Sequence, residues 1–180
     1  MKLRSGMAFL LMIVLILGGV VYGAYKGWTG ERKPVDATYE GLESMLQTRV
    51  ESANNVLTVA RRHIPDTDET LQKVVRDLED LEGKNASLSQ KARGNEKLSL
   101  DAKALLSLLS GLESVQTDSR DKMYVENYLP QMLSQSEEKT AGAAYNQAAA
   151  EFNSRINHTF SGWIARNILR IRPVEEFIAR

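Results

Sequence analysis

Twenty-one consecutive residues between Arg4 and Lys26, "SGMAFLLMIVLILGGVVYGAY", carry no formal charge. As a helix this run covers roughly 30 Å, the thickness of a bilayer's hydrocarbon core. In lipid a lone segment must satisfy its own backbone, which only a helix does. Residues 1–26 therefore read as an N-terminal transmembrane anchor. Tyr22, Tyr25 and Trp28 cluster at one end, where an aromatic belt belongs. The alternative is a cleaved signal peptide, with Lys2 and Arg4 as its basic region and Val21-Tyr22-Gly23 as a cleavage site. The apolar run continues through Val20, Val21 and Tyr22 beyond Gly18-Gly19, which favours the anchor.

The rest of the chain is of a different kind. Lys+Arg and Asp+Glu number 23 each, so no charge bias points to nucleic acid. Cysteine is absent, which excludes disulfides, thiolate metal sites and cysteine nucleophiles. Four prolines among much Ala, Leu, Glu, Lys and Gln favour helix throughout.

"GWTGERKPVDAT", residues 27–38, reads as a juxtamembrane linker. A helical seam follows through Tyr39, Leu42, Leu46, Val50, Ala53, Leu57, Ala60 and Ile64, and Pro65 ends it. Asp66 and Glu69 form a capping-box pattern for a second helix carrying Leu71, Val74, Val75, Leu78 and Leu81. The polar stretch 83–94 reads as a loop or frayed end, and the order of residues 83–97 stays open. Leu98, Ala102, Leu105, Leu106, Leu109 and Leu112 mark a third helix. A fourth runs from about Asp121 to His158, kinked near Pro130, with Ala141, Tyr145, Ala148, Phe152, Ile156 and Phe160 as its seam. Strand-period alternation is missing. The expected fold is all-α: a transmembrane helix followed by an elongated antiparallel bundle of about four long helices over residues 39–180.

The C-terminal third carries a pattern: Tyr145-Asn146, then Phe152-Asn153 seven residues on, then Ile156, Phe160, Pro173 and Phe177. It resembles the end of LemA-family proteins. Leu46, Gln47, Arg49, Leu57, Val59, Leu71 and Val74 are similar to that family's first helical pair. The chain departs from the family at "ESANNVL", at "DKMYVENY" and at Ser161, where a proline is usual. The resemblance implies a bacterial, membrane-anchored helical bundle, and it implies no catalytic activity. Its natural place is the inner membrane, single-pass. A short N-terminal tail that stays in the cytoplasm would put the bundle on the extracytoplasmic side.

Asn146 and Asn153 read as register-setting residues that flank the seam and hydrogen-bond a neighbouring helix. With Tyr145, Phe152, Phe160 and Pro173 they form the structural motif of the family-like region. His63 and His158 are distant in sequence and fit no metal-ligand spacing. Asp77, Glu79, Asp80 and Glu82 read as a solvated helix face. No phosphate loop and no framed serine nucleophile is visible. The reading is thus non-enzymatic, without cofactor, metal or small-molecule substrate.

The functional candidate is the terminal stretch after Ser161-Gly162. From Phe152 to Val174 there is no acidic residue. Arg166, Arg170 and Arg172 give it charge; Trp163, Ile164, Ile168 and Ile171 give it an apolar side. Such a segment contacts a membrane surface or a partner groove. Two functions follow: an envelope scaffold or adaptor acting through self-association or a membrane-protein partner, or a lipid-binding sensor using the basic segment. Both place the lipid bilayer among the partners.

Overall fold

In a computed structural model the chain is described over residues 2–137 and 139–179, with backbone alone for 2–5. Among these residues every regular element is helical. The first, α1, runs unbroken over Lys2–Ala60, and residues 27–38 are part of it rather than a linker. Pro34 lies inside α1 without ending it. The expected end at Pro65 also moves. After Ala60 the chain tightens, and the N–H groups of His63 and Ile64 both return to the Ala60 carbonyl (2.9 and 3.0 Å). Proline disfavours helical geometry at the residue before it, which limits how far α1 can continue.

The second helix, α2, spans Glu69–Glu82, and its cap is Asp68 rather than Asp66. One Asp68 carboxylate oxygen accepts from the N–H groups of Thr70 and Leu71 (2.9 and 3.1 Å). Asp66 instead pairs with Arg61 (3.0 Å). The third helix, α3, spans Leu88–Ser110, so much of the expected loop is helical. Ser87 and Gln90 close a reciprocal capping box that starts it. Gly94 sits buried inside α3, where a Cβ would meet the Asp77 carbonyl and the Asp80 side chain at 3.0 Å. A close approach of α2 to α3 requires glycine there.

Two short helices follow, α4 (Glu113–Thr117) and α5 (Ser119–Met123). A π-helical turn over Tyr124–Tyr128 leads into α6 (Leu129–Ser136). The turn comes just before Pro130, which has no N–H for the ordinary ladder, and Leu129 donates back five residues to Tyr124. The expected single helix from Asp121 to His158 is therefore divided, with α7 covering Lys139–His158. The last helix, α8, is Phe160–Asn167. It is capped by Thr159, whose side chain accepts from the Gly162 N–H (3.0 Å).

The chain forms two compact units: Met1–Ala37 with Gln147–Val174, and Thr38–Asn146 with Glu175–Arg180. In the second unit the seam holds, with Leu42, Leu46, Ala53, Leu57, Leu71, Val74, Leu98, Leu105 and Leu109 all buried. Burial of such side chains contributes about 1.5–3 kcal/mol each.

Three ionisable residues are buried among them: Arg49, Asp77 and Asp121. Arg49 is 1% exposed. It donates to Asn95 Oδ1 (3.0 Å), Ser99 Oγ (2.6 Å), the Leu133 carbonyl (3.2 Å) and Ser136 Oγ (3.2 Å). Burial lowers its pKa, and the nearby Glu137 charge opposes that. Asp77 was expected on a solvated face but is 5% exposed. Its Oδ2 has no donor partner, and its neighbour is the Asp101 carboxyl. Two carboxyls bond only when one keeps its proton. Burial, then the Asp101 hydrogen bond and charge, push Asp77 up to about 7; Asp80 adds to the push and Lys97 opposes it.

The folded state thus holds a proton that the unfolded chain releases near pH 4. Its contribution is present below that pH and is lost as pH rises through 7. Asp77→Asn can donate to Asp101 at any pH. The variant should flatten the fall in stability between pH 5 and 8 and exceed the parent at pH 8 by on the order of 2 kcal/mol. Chemical unfolding followed by circular dichroism at the two pH values checks this.

Candidate functional site

The two asparagines do not bond a neighbouring helix. They hold the C-terminal segment that follows α8, a stretch without regular secondary structure. In the second unit, Asn146 Nδ2 donates to the Phe177 carbonyl (2.8 Å), and the Phe177 N–H donates to Asn146 Oδ1 (2.7 Å). In the first unit, Asn153 does the same for Val174 (2.9 and 2.8 Å). An amide presents a donor and an acceptor side by side, so it matches one residue's N–H and C=O as a paired strand would.

Further contacts in the second unit secure the same segment. Tyr145 donates its hydroxyl to the Glu175 carbonyl (2.6 Å). Its ring meets Tyr39 edge-on, centroids 5.8 Å apart. Glu175 accepts from the Ser89 N–H at the start of α3 (3.1 Å). Burial raises the Glu175 carboxyl, but the N–H groups of Ser89 and Leu88 outweigh it and hold the pKa below the usual range. Gly142 leaves room for the Phe177 ring, which a Cβ would meet at 3.3 Å. Beside Phe177 and Asn146 lies a cavity of about 620 Å³, walled also by Asn95, Ser99, Lys103 and Lys139.

In the first unit Trp28 is 5% exposed, so it does not join a lipid-facing belt. Its ring stands edge-on to Phe152 (centroids 5.7 Å), and Nε1 donates to the Ser161 carbonyl (3.0 Å). Arg155 Nη1 donates to both oxygens of Glu31 (2.7 Å each). A Cβ at Gly162 would run into the Ile156 main chain, so the turn into α8 needs glycine. Phe160 leaves the seam: Thr159 breaks the helix, and Phe160 stands 77% exposed.

The basic segment is not one amphipathic helix. α8 stops at Asn167, and Arg170 takes a left-handed backbone (φ 56°) as the chain turns away. Ile164 is buried and Ile171 half-buried, whereas Trp163 and Ile168 are exposed. Arg166, Arg170 and Arg172 are exposed, as is Pro173, and Arg166 donates to Asn157 Oδ1 (3.1 Å).

One polar cluster escaped the sequence reading. His63 Nε2 meets Asp121 Oδ2 (2.9 Å) and Nδ1 meets Ser114 Oγ (3.1 Å), while Arg62 donates to Asp121 Oδ1 (2.8 Å). Burial raises the Asp121 pKa, but the bonds from His63 and Arg62 outweigh it and leave the group below its usual range. The ionised carboxylate therefore receives Nε2–H. The order Ser–His–Asp is that of an acyl-transfer triad, but the Asp121 carboxylate is shared with Arg62, and the His63 and Asp121 side chains are only 7% and 2% exposed. Its evident work is to tie the chain after α1 to α4 and α5. Among the described residues no three His, Asp or Glu side chains gather to hold a metal ion.

No protein-family profile matches the chain, and no curated protein matches it.

The amide contacts make a specific expectation. Asn153→Ala should speed hydrogen exchange at Val174 N–H, and Asn146→Ala at Phe177 N–H, each roughly tenfold, since a lost bond of this kind is worth about 1–1.5 kcal/mol. Exchange followed by mass spectrometry over residues 171–179 reads both. Unchanged rates would mean that other contacts hold the segment.

Proposed function

We propose that this protein is a single-pass, membrane-anchored helical scaffold or adaptor of the bacterial envelope, of the LemA kind that its C-terminal pattern resembles. The observation that carries the reading is the N-terminal part of α1. From Met7 to Leu17 its large apolar side chains are between 39% and 73% exposed. Among the described residues, one helix is long and apolar enough to cross a membrane, and none of its most apolar stretch is buried. Water is a poor neighbour for such a surface, and hydrocarbon a good one.

The remainder supports a binding role over a chemical one. Several polar side chains in and beside its core are spent on packing: Arg49 on carbonyls, hydroxyls and an amide, Asn146 and Asn153 on main chain, His63 on Asp121. In this reading the helices of residues 39–146 form an antiparallel bundle held outside the inner membrane. Its exposed faces bind a second copy or an envelope membrane protein.

Untagged full-length chain in gentle detergent should then exceed its own 20.1 kDa in its micelle and cross-link to itself or to one discrete membrane protein. A free monomer that captures no partner contradicts the proposal. Protease added to intact spheroplasts should cut the bundle without lysis; protection until lysis would place it in the cytoplasm.

A further inference from the structure

The short helix α8 turns Ile164 and Ala165 inward and leaves two large rings outside. Phe160 is 77% exposed and Trp163 is 51% exposed, and they stack with planes 8° apart and centroids at 6.3 Å. A stacked pair of exposed rings needs a reason in an aqueous domain. Its surroundings supply one. A cavity of about 650 Å³ in the same unit is bordered by Val20, Gly23 and Gly27 of α1 and by Phe160 and Ile164 of α8. The rings therefore stand near the point where the charge-free run gives way to Lys26.

Tyr22 and Tyr25, in that same part of α1, are 67% and 53% exposed. A Cβ at Gly23 or Gly27 would meet nothing, so the cavity is open along α1. The exposed arginines of the segment, Arg166, Arg170 and Arg172, have no acidic residue among them between Phe152 and Val174. Aromatic rings with cationic neighbours at the end of an apolar span are the composition of a headgroup-level contact.

We propose that α8 is a foot on the bilayer. Phe160 and Trp163 lie at the boundary between headgroups and acyl chains, and a lipid chain occupies the opening at Gly23 and Gly27. This rests on the anchored reading above and adds to it a second, non-spanning contact with the lipid. The rings do the seating, and the arginines lie at headgroup level.

The chain has no cysteine, so single nitroxide labels can be placed in the full-length protein at will. Three variants suffice, Trp163→Cys, Leu15→Cys and the solvent-exposed Glu51→Cys, each with one chain per nanodisc of zwitterionic lipid. Power-saturation spectra compare access of oxygen with access of a water-soluble nickel chelate. The Leu15 label should report hydrocarbon depth. The label at 163 should show nickel access several-fold below that at 51. Phe160→Cys repeats the reading should the tryptophan variant misfold.

If the 160 and 163 labels are as open to nickel as the 51 label while the 15 label is deep, the foot is wrong and the anchor stands. If the 15 label is also aqueous, both fail. Changing Arg166, Arg170 and Arg172 together to alanine should leave the depth at 163 unchanged; a return to water would mean that charge, not the rings, seats the helix.

Discussion

Among the described residues, the large side chains of α1 between Met7 and Leu17 stand 39% to 73% exposed. Each Å² of that surface left in water forgoes about 25 cal/mol that a bilayer's hydrocarbon would supply. The same helix carries both the uncovered stretch and, from Trp28 onward, buried positions of a folded protein. A stretch apolar enough to cross a membrane and positions of a folded core thus lie on one continuous element.

The folded part shows how polar groups are managed where helices approach closely. Arg49 brings a charge into the second unit and spreads it over neutral acceptors, with the Glu137 carboxylate nearby. Breaking such a set leaves several buried groups unpaired at once, which costs more than any single bond is worth. The asparagine pairs solve a different problem. An irregular segment has main-chain groups that no helix ladder serves, and Asn146 and Asn153 serve them from side chains. The motif that stands out in the sequence is thus a means of holding the chain end.

How far the sequence spoke depended on the range of the interactions. Periodicity located the seam residues of α1, α2 and α3, because burial on one helical face is a local matter. It missed Arg49 and Asp77, since a charged residue on a seam is read as a surface residue unless its partners are known. Those partners lie 46 residues away for Arg49 at Asn95, and on another helix for Asp77. The Ser87–Gln90 capping box is present in the sequence, but glycines at 83 and 94 give the same stretch the look of a loop. Phe160 fell on the seam by count, yet Thr159 resets the helix before it. The destinations of Asn146 and Asn153 carried no signal, because an irregular partner has no period.

The central claim is that the apolar part of α1 stays attached and holds the protein in the membrane. Intact-mass measurement of the protein from alkali-washed membranes tests it most directly. The expected result is a mass that includes the residues before Gly23, in a chain that remains with the membrane pellet. A shortened chain, lacking the residues up to about Gly23 and released into the supernatant, would contradict it.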